Sequence, residues 1–97
     1  MTDPKDHRGR PRVVITGMGL ITPCGNSLSE SWSALVDGRS GIGPITRWDC
    51  SAFDTRIAGE VKGFDAKRLL DAKAARRNDA FIQYALVAAD MAMADSG

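Results

Sequence analysis

The stretch from Asp79 to Ser96 constrains this chain more than any other. Ala80, Phe81, Ile82, Tyr84, Ala85, Leu86, Val87, Ala88, Ala89, Met91, Ala92 and Met93 surround a helical axis almost completely, and Asp79, Gln83 and Asp90 leave only a narrow polar strip. Such a helix, about 27 Å long at 1.5 Å per residue, belongs inside a larger body or across a membrane. Gln83, Asp90 and the weakly hydrophobic alanines argue against a membrane span. The helix therefore requires protein on most of its sides, with Gly97 placed to end it.

A second constraint comes from the other end. Val13, Val14 and Ile15 form a β-branched run without alternation, as expected of a strand covered on both faces. Gly17 and Gly19 then allow a turn or a close approach, and Pro23 stops the strand. Strand, glycine turn and helix open an α/β unit. A dinucleotide fingerprint would need a third small residue where Thr22 stands, and a helix starting straight after Gly19. Pro23 and Gly25 delay the helix to about Ser27, Asp37 falls at a helix end rather than a strand end, and no Lys follows the glycines as a P-loop requires. A helix starting after Gly19 would favour a small nucleotide-binding βα module; one starting near Ser27 counts against it.

The first helix is expected over Leu28–Asp37. Ser27 and Glu30 have capping-box spacing, Leu28, Trp32, Leu35 and Val36 make one apolar stripe, and Gly38 stands at C′. Gly41–Ile45 reads as loop, with Trp48 and Phe53 as anchors in the irregular stretch beyond. Arg56–Val61 alternates as a short strand, placing Ile57, Gly59 and Val61 on one face. Asp65 caps a brief helical turn through Leu70, and the basic residues of Lys73–Arg77 lead into the last helix.

With 97 residues, 43% of them hydrophobic, and a formal net charge of +1, the chain makes at most one small domain and gives no support to a nucleic-acid role. Residues 1–11 read as a flexible leader, and the single histidine, His7, lies in it, which makes a catalytic or ligand role improbable. Cys24 and Cys50 lack CxxC spacing; without a secretory or membrane segment, a reduced cytoplasmic setting is expected. Two short strands and two helices cannot wrap the Asp79–Ser96 helix, so the physics points to a fragment of a larger α/β protein.

The residues match a family. Arg12-Val13-Val14-Ile15-Thr16-Gly17-Met18-Gly19, Thr22-Pro23-x-Gly25-Asn26 and Trp32-x-x-Leu35-x-x-Gly38-x-Ser40-Gly41-Ile42 resemble the N-terminus of β-ketoacyl-[acyl carrier protein] synthases. Ile57-Ala58-Gly59-Glu60-Val61 and Arg77-Asn78-Asp79-Ala80-Phe81-Ile82-Gln83-Tyr84-Ala85 look most like the type II, elongating enzyme. The resemblance covers Arg12–Gly97 and implies the N-terminal fragment of a thiolase-like α-β-α-β-α layered fold, homodimeric when complete, that extends acyl chains by decarboxylative Claisen condensation with malonyl-carrier protein. The family nucleophile, a cysteine in a T-A-C type motif, and its two histidines have no counterpart here; neither Cys24, Cys50 nor His7 matches them. No catalytic, cofactor or metal residue is carried over. One feature is: a basic patch before the D-A-F helix, which in the family meets the acidic acyl carrier protein, falls on Lys73, Arg76 and Arg77. Three cations within five residues lie inside one screening length of roughly 8–10 Å and can steer an acidic partner. Placed ahead of a helix N-terminus, they would oppose its macrodipole rather than support it. A non-catalytic docking fragment is the remaining alternative.

Overall fold

The computed structural model describes residues 4–97; the first three residues of the expected leader lie outside the described residues. Six elements follow in order: α1 (Leu28–Val36), β1 (Ile42–Pro44), β2 (Ile57–Gly59), α2 (Ala66–Leu69), α3 (Ala72–Arg77) and α4 (Ala80–Ser96). Ahead of them, residues 4–12 form a turn in which the Asp6 carboxylate accepts from the backbone N–H groups of Arg8 and Arg10 and pairs with the Arg10 guanidinium at 2.7 Å.

The sheet is smaller than the sequence led us to expect, and differently placed. Val13, Val14 and Ile15 have no strand partner among the described residues and stand in the open, Val13 at 95% exposure. A β-branched run becomes a buried strand only when neighbouring strands take up its N–H and C=O groups, and none is present to do so. The sheet that does form pairs β1 with β2 antiparallel, Ile42 opposite Gly59 and Pro44 opposite Ile57. Ile57–Gly59 was expected as strand. Its partner Ile42–Pro44 was expected as loop, because Gly-Ile-Gly-Pro carries turn residues; a partner distant in sequence, and Pro44 at the strand's end, make the pairing possible. Along β2 it is Ala58, not Ile57 or Gly59, that is the less exposed residue.

α1 starts where its cap dictates. Ser27 Oγ accepts from Glu30 N at 3.1 Å, and Gly38 takes φ +70° just beyond the C-terminus. The Glu30 carboxylate reaches back one residue further than a reciprocal capping box requires, accepting from Asn26 N at 2.8 Å. The apolar stripe is not the packed face. Ser31 and Ala34 are buried, while Trp32, Leu35 and Val36 are exposed. On the buried side, Ser31 Oγ shares a hydrogen bond with Thr22 Oγ1 at 2.7 Å and donates to Gly25 O. These bonds fasten the small side of the helix to the Thr22–Gly25 turn, while the large side chains stay exposed, as on α4.

Trp48 and Phe53 anchor each other, edge to face at 5.1 Å, rather than a common core. On α4 only Val87 is buried, with Phe81 and Met93 largely exposed. The radius of gyration, 18.1 Å, exceeds the roughly 12–13 Å of a compact domain of this length. The helix that requires protein all round has it on one side only. No helix among the described residues is long and apolar enough to cross a membrane.

Candidate functional site

The basic cluster lies on a helix of its own. Asp71 caps α3, its Oδ1 accepting from Ala74 N at 2.7 Å, and Asn78 leaves helical geometry before α4 begins. Lys73, Arg76 and Arg77 are all exposed, and among the described residues none of them forms an ion pair or side-chain hydrogen bond. Arg76 and Arg77 occupy the last turn of α3. The sequence placed the cations ahead of an opposing helix N-terminus; the fold instead puts two of them at a C-terminus, where the macrodipole favours them. Arg76 and Arg77 thus support α3, and all three cations are in addition exposed and unpaired among the described residues.

Gln83 fixes this cluster to the long helix. Its Nε2 donates to Ala75 O at 2.9 Å and to Asn78 O at 3.0 Å, satisfying carbonyls that the end of α3 leaves free. Asn78 Nδ2 adds a bond to Ala74 O at 2.9 Å. From the sequence Gln83 belonged to a polar strip; in the fold it is the clamp between α3 and α4. Tyr84, next to it, meets Phe64 edge to face at 4.9 Å, and its hydroxyl accepts from Arg47.

The glycine turn is not a phosphate loop. α1 begins at Leu28, nine residues after Gly19, so no helix starts straight out of the turn as a dinucleotide fingerprint requires. Gly17 and Gly19 instead lie on the backbone of α4, where a Cβ on Gly17 would stand 2.6 Å from Ser96 N and one on Gly19 2.6 Å from Met91 Cβ. The Asp95 carboxylate holds this crossing by accepting from Met18 N at 3.0 Å. Glycine is needed because two backbones touch.

Two further segments are tied by charge. The Glu60 carboxylate accepts from Thr46 Oγ1 at 2.8 Å and from the backbone N–H groups of Thr46 and Arg47; these bonds, that of the Thr46 side chain foremost, hold its pKa below the ordinary value. The Lys62 ammonium donates to the carbonyls of Glu60, Pro23 and Gly41 at 2.9–3.2 Å. Cys24 and Cys50 are half-buried free thiols, and Cys24 Sγ lies 4.0 Å from Arg39 O. His7 is exposed in the N-terminal turn.

Residues 10–97 match the family model of the β-ketoacyl synthase N-terminal domain. The chain belongs to the β-ketoacyl synthase family. It is 51% identical over 86 residues to 3-oxoacyl-[acyl-carrier-protein] synthase 2 of Coxiella burnetii, covering 89% of this chain and 21% of the relative. The namesake from Synechocystis is 51% identical over 87 residues, 90% of this chain and 21% of the relative, and that from Vibrio cholerae 50% over 86 residues, 89% and 21%. Among solved structures, the ishigamide ketosynthase/chain length factor superposes with a TM-score of 0.74 at 37% identity, over 87% of this chain and 21% of that one. The chain thus spans about a fifth of the length of these relatives. Its fold is the α/β N-terminal part of the thiolase-like architecture, which accounts for the unpartnered Val13–Ile15 run and the bare faces of α4.

Proposed function

We propose that this chain forms the N-terminal part of a type II β-ketoacyl-[acyl carrier protein] synthase. In that enzyme, decarboxylative Claisen condensation of an acyl group with malonyl-carrier protein elongates fatty acids. Residues 12–97 belong to the synthase domain, and residues 1–11 are a leader outside it. The complete enzyme is a cytoplasmic homodimer. This segment supplies no nucleophile and no decarboxylation base; its part in the reaction is to hold the carrier protein.

The observation that carries this role is the state of Lys73, Arg76 and Arg77: three exposed cations without ion-pair partners among the described residues, on one short helix clamped to α4 by Gln83. An acidic carrier protein is the partner such a surface attracts, through steering at long range and exposed ion pairs at contact. The test uses a full-length synthase with this sequence as its N-terminal part. Reversing all three charges to Glu raises the Michaelis constant for carrier-borne substrate and leaves turnover on a small thioester near wild type. A triple variant that handles carrier-borne substrate normally at low salt removes these residues from the binding surface.

A further inference from the structure

We infer that the carrier-binding surface continues from α3 onto α2, where Lys67 and Arg68 add two contacts and Lys67 and Arg76 together seat one acidic side chain of the partner. This inference rests on the carrier-binding role proposed for α3. Both residues are exposed in the last turn of α2, the helix packed against α3. Lys67 and Arg76 line one cleft of about 830 Å³, floored by Ala66, Ala72 and Ala75 and closed by Asp65 and Gln83.

The charges of this region are unbalanced for a reason that can be traced. Residues 65–77 hold five cations and two carboxylates, in a chain whose net charge is only +1. Both carboxylates are engaged with backbone: Asp65 Oδ1 accepts from Lys67 N at 3.1 Å, and Asp71 Oδ1 from Ala74 N at 2.7 Å. Neither forms an ion pair with the cations. Capping holds one oxygen of each carboxylate on the backbone, and five cations against two carboxylates leave a surplus of three positive charges on two short helices. A single α3 patch meets one turn of a partner helix; the α2–α3 pair offers a longer track, with small alanines that let a partner backbone approach. An acidic helix of the carrier protein fits that combination of charge and shallow apolar floor.

Charge reversal separates this inference from the one beneath it. In the full-length synthase at low salt, the K67E/R68E pair raises the Michaelis constant for carrier-borne substrate roughly two- to thirtyfold, as two exposed ion pairs would. Turnover on a small thioester is unchanged, and reversing acidic residues of the carrier to Lys restores part of the loss. If the α3 triple variant weakens carrier binding but the α2 pair does not, the extension is wrong and the α3 role stands. If neither variant matters, both fail. Because reversal could disturb α2, K67Q/R68Q is measured alongside; equal loss on both substrates in the Gln and Glu pairs assigns these residues to folding and overturns the proposal.

Discussion

Gly19 lies so close to α4 that a Cβ built on it would stand 2.6 Å from the Cβ of Met91. Neither partner can give way, since Ala88 O and Ala92 N of the same helix close the site as well. The Gly17–Gly19 segment is thus organised around a backbone crossing, with Asp95 accepting from Met18 N beside it.

Gly19→Ala in a full-length synthase is therefore expected to destabilise by about 1–3 kcal/mol, the usual cost of overpacking, and more if the crossing shifts. Gly43→Ala is the control, because a Cβ there meets nothing within 4 Å. Denaturation midpoints of the two variants check the expectation; equal midpoints would mean that the crossing is loose.

At the start of α1, Ser27→Ala is expected to cost about 1 kcal/mol through loss of the bond from Glu30 N. Glu30→Ala should cost less, since it removes a bond to Asn26 N ahead of the helix rather than to an N–H within it. Chemical denaturation compares them. A neutral Ser27→Ala beside a damaging Glu30→Ala would show that the Asn26 contact, not the cap, sets the helix start.

How far the sequence reveals the fold depends on the range of the interaction. Ser27, Gly38 and Asp65 act on residues a few positions away, and helix starts and ends followed from them. The β1 strand depends on Arg56–Gly59 across a long connection, and nothing in Gly-Ile-Gly-Pro announces that partner. The end of α3 at Asn78 carries no Gly or Pro and leaves no mark in the sequence; the structural cue is Gln83 reaching back to Ala75 and Asn78. The stripe on α1 is legible as apolar, but the Thr22–Ser31 hydrogen bond, which fastens the opposite, small-residue side to the Thr22–Gly25 turn, is not. Within the candidate site, Lys73, Arg76 and Arg77 could be chosen from their spacing. Lys67 and Arg68 could not, since only folding brings α2 against α3.

Acid should loosen the link between Thr46 and β2. The bonds from Thr46 and Arg47 lower the Glu60 pKa in the folded chain below its ordinary value of 4.5. A depressed carboxylate contributes stability that is complete above the unfolded value and is lost as pH falls through the folded one. Glu60→Gln should therefore flatten the acid limb of a stability–pH profile below about pH 4.5 and change its slope little at neutral pH. Thermal melts of the full-length synthase and its Glu60→Gln variant across that window test the sign; an unchanged acid limb would place the acid sensitivity elsewhere.

The 97-residue chain by itself is expected not to unfold cooperatively. Ala34 and Val87 are its only buried hydrophobic side chains among the described residues, whereas Val13, Ile15, Phe81 and Met93 are each at least 70% exposed. At roughly 25 cal/mol per Å² of apolar area, faces left bare forfeit several kcal/mol, as much as a small domain's whole stability. Trp32 on α1 and Trp48 in the connection between β1 and β2 report on the first half of the chain, and far-UV circular dichroism reports on the helices of the second, so urea titration followed by both signals is the measurement. The expected result is a broad, shallow change with a small slope in denaturant, because little surface is buried to begin with. A steep transition from a species that sedimentation shows to be monomeric would mean that the polar locks at Ser31, Lys62 and Gln83 hold the chain together without a core.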